Sequence, residues 1–99
     1  MNSSNQWVLK KYEQDEEMMV LLFAQWCENH QLDAWQLYEK AYPGQPKNKL
    51  LENAMEQTVD KKDAEVIPND LLLQTLQAFG NDDLAFVVQE NIDTNKKSD

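Results

Sequence analysis

The stretch from Leu32 to Gly44 (Leu-Asp-Ala-Trp-Gln-Leu-Tyr-Glu-Lys-Ala-Tyr-Pro-Gly) constrains this chain most, because it specifies a helix together with both of its ends. Asp33 is placed to accept hydrogen bonds from the unpaired N–H groups of a first helical turn. Gln36 stands three residues on, as a capping box requires. Leu32 and Leu37 flank the cap in the positions of a hydrophobic staple. Pro43 lacks the amide donor that would continue the helix, and Gly44 suits its termination.

The rest of the chain follows the same logic. Two glycines and three prolines in 99 residues leave long uninterrupted segments, and those segments show helical rather than alternating periodicity. Met18, Leu22 and Trp26 form one row, and Met19, Phe23 and Cys27 form the row beside it. Together they predict a central helix with a broad buried face. Ser3 or Ser4 is placed to cap a first helix, and the acids at 15–17 would suit a second helix start. No Gly or Pro interrupts residues 5–29, which favours one continuous helix.

Asn48 is the expected cap of a helix carrying Leu50, Leu51, Ala54, Met55 and Thr58. Asn69 is the expected cap of a helix carrying Leu72, Leu73, Leu76 and Phe79, closed by Gly80. Residues 59–67 have no clean period and read as a loop. Asn81 or Asp82 opens a last element in which Leu84, Val88 and Ile92 recur at every fourth position. Phe86-Val87-Val88 has strand propensity. A lone strand would lack a partner in this chain, so the element is read as a helix. The fold class expected is therefore all-α: a small irregular or orthogonal bundle of four to six short helices. It forms a single domain over residues 1–93, followed by a disordered polar tail at 94–99.

Charge narrows the functions available. Eighteen acids face nine bases, every base is lysine, and the net charge is −9. Arginine, the planar bidentate fork for phosphate and guanine, is absent. The lysines come in scattered pairs rather than a basic stripe, so direct binding to nucleic acid or to an anionic membrane is not expected. Residues 1–49 carry −2 and residues 50–99 carry −7. The acidic second half reads first as a solvated surface, and alternatively as a face for a basic partner. A single cysteine, Cys27, cannot form an intramolecular disulfide and fits a reducing compartment. The longest apolar run, Met18 to Ala24, falls far short of the about 20 residues that span a bilayer. The start of the chain lacks the basic region of a secretory signal, and a cytoplasmic location is expected.

Candidate chemistry is sparse. Cys27 and His30 stand three apart and offer a thiol and a base, but Cys27 shares the apolar row of Phe23 and reads as a buried thiol. Glu28, His30 and Asp33 are the nearest thing to a metal set. A chain with one His and one Cys would have to close a zinc site with carboxylates, so no metal is expected. The segment Asp60–Glu65 lacks the central glycine of a calcium loop. No glycine-rich loop exists to hold a nucleotide phosphate, and no cofactor is expected.

The aromatics offer more. Trp35, Tyr38 and Tyr42 fall on neighbouring helical positions, while Ala34, Leu37 and Ala41 fill the core-facing arc. The row reads first as part of a wide core face; alternatively Trp35 and Tyr42 are left at its rim, where such residues anchor protein interfaces. Trp7 is a further candidate anchor. The expectation is a small, acidic, non-enzymatic interaction or regulatory domain, monomeric or weakly dimeric, with a protein partner. The alternative is an acidic inhibitor, a nucleic-acid mimic or immunity protein that masks a basic site. A thiol enzyme using Cys27 and His30 is the third reading.

Overall fold

The computed structural model describes residues 2–98, with side-chain environments over residues 16–94. Five α-helices form: α1 (Asn2–Asn29), α2 (Ala34–Ala41), α3 (Lys49–Gln57), α4 (Asn69–Ala78) and α5 (Asp82–Ser98). No strand occurs among the described residues. The chain is all-α, as the periodicity predicts. Within the segment read as a loop, Lys61–Asp63 makes one 3₁₀ turn, started by Asp60 accepting from the Lys62 amide.

α1 is one helix of 28 residues. Ser3 and Ser4, expected at a cap, lie inside it, and the acids at 15–17 sit mid-helix rather than at a second start. Extending a helix already formed is far easier than nucleating a new one, so without a breaker the chain continues. α1 packs against α2, α3 and α4, while α5 packs against α2 and α4. The polar segment at 94–99, expected as a tail, has helical backbone as far as Ser98; Asp99 and the side chains from 95 onward lie outside the described residues.

The core gathers Met19, Phe23, Trp26 and Cys27 of α1 with residues of every other helix. Leu84, Val88 and Ile92 are all buried, and so is Val87, while Phe86 is 67% exposed. Adjacent valines facing the same way are a helical pattern, which answers the strand propensity of this run. One expected core residue is displaced: Met18 is 63% exposed, although Trp26 of its row is fully buried. The buried arc of α1 is therefore centred on Met19, Phe23 and Trp26.

α1 and α4 end in the same way. Leu32 N–H bonds the Cys27 carbonyl at 2.8 Å, and Gln31 N–H bonds the Glu28 carbonyl at 3.1 Å. Asn81 N–H bonds the Leu76 carbonyl at 2.8 Å, and Gly80 N–H bonds the Gln77 carbonyl at 3.0 Å. Each pair is a Schellman motif and needs a left-handed residue at its corner. Gly80 (φ 76°) takes that conformation freely, while Gln31 (φ 58°) takes it with a side chain.

The segment after α3 is tied to α1 by a small amide network. Gln25 donates to the Val59 carbonyl and accepts from the Val59 amide, both at 2.9 Å. Asn29 donates to the Glu65 carbonyl at 3.3 Å. These bonds supply order that the irregular sequence of 59–67 did not suggest.

Candidate functional site

α2 presents the aromatic row from a helix capped by Asp33 as expected, without, among the described residues, the return bond from the Gln36 side chain that a full capping box would add. Asp33 Oδ1 accepts from the Trp35 amide at 2.9 Å and the Gln36 amide at 3.4 Å. Ala34 and Leu37 are buried, Ala41 is half-buried, and Trp35, Tyr38 and Tyr42 lie half-buried along the edge. The three rings interlock. Trp35 and Tyr38 meet edge to face with centroids 6.2 Å apart, and Tyr38 and Tyr42 follow at 5.3 Å. Edge-to-face contact suits the charge distribution of aromatic rings.

Asparagines from two other elements hold the tyrosines in place. The Tyr42 hydroxyl donates to Asn81 Oδ1 at 2.9 Å, and Asn48 Nδ2 donates to the Tyr38 hydroxyl at 3.3 Å. Asn48 also caps α3, accepting from the Leu50 and Leu51 amides. Asn81 has the backbone role of a cap, its carbonyl accepting from Ala85. Its side chain turns instead to Tyr42 and to the Met19 sulfur, at 3.6 Å. Burial pushes the Tyr42 hydroxyl above its usual pKa, and the Asp83 carboxylate adds to the shift.

The tyrosine pair forms a ridge between two depressions. One, of about 330 Å³, has a floor of Met19, Phe23, Leu51 and Leu84. Its rim holds Glu16, Gln45, Asn48 and Asn81. The other, of about 370 Å³, lies between Trp35 and the turn at Gly44–Lys47, with Glu39 at its edge. Gly44 makes that turn with φ 78°. The structure thus assembles Trp35, Tyr38 and Tyr42 into one surface; the side chain of Trp7, the fourth candidate, lies outside the described residues. Asn48, Asn81 and Glu16 join the surface without having been singled out for it. The one sequence signal was the presence of asparagines beside helix starts, which capping alone explained.

The Cys27–His30 pair does not assemble. Cys27 is 1% exposed, and burial, with the Asp33 charge adding, pushes its thiol up to about 12. The His30 ring packs on Trp26 with centroids 4.3 Å apart, and burial lowers its pKa. No side-chain hydrogen bond joins the two among the described residues. Asn69 corrects a second expectation. The N-cap position of α4 is held by Pro68, which makes no side-chain cap bond. Asn69 Oδ1 instead accepts from the indole N–H of the fully buried Trp26 at 2.9 Å. A buried donor left unpaired is costlier than a helix end open to water, so the tertiary bond wins.

The model of the YxiS family matches residues 1–93. The chain belongs to the YxiS family. A Bacillus subtilis relative, named uncharacterized protein YxiS, is 48% identical over 87 residues, covering 87% of this chain and 91% of its own length. No solved structure matches this YxiS-family chain. No helix among the described residues is long and apolar enough to cross a membrane.

Proposed function

We propose that this YxiS-family chain is a small non-enzymatic interaction module that regulates or adapts a larger protein, and that the Trp35–Tyr38–Tyr42 edge is its contact surface. The observation carrying this reading is the pre-organised ridge. Its rings are interlocked and both tyrosine hydroxyls are hydrogen-bonded. Each of the three residues remains partly exposed to solvent. Rigid aromatics lose little entropy on binding and anchor interfaces for that reason. The reading includes a cytoplasmic location, a monomer or weak homodimer, and no direct contact with nucleic acid.

The test compares two positions on α2. Tagged wild-type protein, Trp35→Ala and Leu37→Ala are used to capture partners from native cell extract, and their unfolding midpoints are measured. Trp35→Ala is expected to lose the captured partner while remaining folded. Leu37→Ala is expected to lose about 2–5 kcal/mol of stability as a core leucine. Retention of the same partner by folded Trp35→Ala would remove the ridge from the interface.

A second reading, the acidic inhibitor, is favoured by one observation: none of the described charged side chains is buried. The described acids of the −7 half therefore face solvent. A complex held by those charges weakens steeply between low and moderate salt, whereas one anchored on the aromatics does not.

A further inference from the structure

Resting on the reading of the ridge as a contact surface, we infer that the depression between α1 and α2 receives a lysine or arginine side chain from a basic segment of the partner protein. The shape and chemistry of the depression favour a long cationic side chain. Its floor is apolar, built of Met19, Phe23, Leu51 and Leu84, and suits an aliphatic stem. Its rim is polar, and the one charged residue in its lining among the described residues is Glu16. The Tyr38 and Tyr42 rings form the adjoining wall, where an ammonium or guanidinium gains from the aromatic face.

The surrounding field has the same sign. Tyr42, in that wall, feels the carboxylates of both Asp83 and Asp82 at the start of α5. Among the described residues no lysine lines the depression, and the chain contains no arginine. An anionic side chain would be repelled by Glu16 in the lining and by Asp82 and Asp83 beside Tyr42. A purely apolar one would remove water from Glu16, Gln45, Asn48 and Asn81 without pairing them, which is costly. A lysine or arginine fills the floor and keeps its charge at the rim.

The second depression explains why the ligand is a chain segment and not a free amine. It lies across the Tyr38–Tyr42 ridge, and its two charges, Glu39 and Lys47, oppose one another. A segment crossing the ridge places its basic residue by Glu16 and a neutral neighbour against Trp35 and Pro46. Complementary charge then brings the partner in, and the aromatics hold it.

The test is a nuclear magnetic resonance titration of the full chain with end-capped hexalysine, and with the same peptide acetylated on every lysine. Hexalysine is expected to shift the amides of Tyr38, Tyr42, Gln45, Gly80 and Asn81 saturably, and the acetylated peptide to leave them in place. Glu16→Lys reverses an exposed charge and is expected to weaken hexalysine by about tenfold or more. Glu56→Lys makes the same change of net charge on the exposed face of α3 and is expected to alter affinity by less than about twofold. Equal weakening by both variants, or shifts confined to α3 and the 59–67 segment, would overturn the inference. The ridge reading fails separately. If hexalysine bypasses the depression while Trp35→Ala still releases the captured partner, only the cationic occupant is wrong. If Trp35→Ala releases nothing, the ridge itself is wrong.

Discussion

Two tryptophans occupy opposite kinds of environment. Trp26 is fully buried at the seam of α1 and α4, its indole N–H paired with Asn69 and its ring covered on one side by His30. Trp35 stands half-buried at the edge of α2, against Tyr38 and over an open depression. Each sits on a helix whose neighbouring positions are apolar. The difference lies in what packs on the helix. α1 is surrounded by three other helices, so nearly every apolar position facing them is covered. α2 is eight residues long and packs mainly on α1 and α5, which leaves Trp35 and the tyrosines on a partly exposed edge. A large apolar ring is thus core or surface according to whether another helix packs over its own position.

Four substitutions would break or sharpen that contrast. Trp26→Ala is expected to cost about 3–5 kcal/mol, the loss of a large buried ring with incomplete collapse of the space it leaves. Chemical denaturation would show it, and a smaller loss would mean that the α1–α4 seam is loosely packed. Asn69→Ala leaves the ring in place but orphans its N–H, for an expected cost of about 1–3 kcal/mol. If Asn69 acted only as a helix cap, the fluorescence of buried Trp26 would not change with the substitution; a shift in emission is expected.

Asp33→Ala removes the cap that orients α2 and should cost about 0.5–2 kcal/mol. Amide exchange should quicken at Trp35 and Gln36, the two residues whose N–H groups Asp33 accepts. Trp35→Ala should cost far less than Trp26→Ala, since it loses one edge-to-face pair, worth about 0.5–1.5 kcal/mol, and only partial burial. An unfolding midpoint as low as that of Trp26→Ala would make both tryptophans core, and the contrast with it would disappear.

Local rules were legible where a residue's role depends on its near neighbours. Asp33 and Asn48 cap as their positions predict, and Gly80 turns the end of α4. The row Leu84–Val88–Ile92 is buried because helical spacing alone puts it on one face. Glutamine at 31 carries no such signal. Its left-handed backbone closes α1, a role that composition assigns to glycine.

By itself, then, the sequence determined the all-helical class, the caps at Asp33 and Asn48, the turn at Gly80 and the grouping of Trp35, Tyr38 and Tyr42 on one edge, since each follows from interactions within a few residues. Only the tertiary structure decided what the asparagines do. Asn69 and Asn81 stand at helix starts, where capping is available, yet Asn69 pairs with Trp26 and Asn81 with Tyr42, residues 43 and 39 positions away in the chain. It likewise decided that Met18 faces solvent while Met19 beside it is buried, and that Glu16 stands at the rim of an aromatic depression. The physical reason is the same in each case. Helical periodicity gives a face its apolar character, but which part of that face is covered depends on where distant helices come to rest.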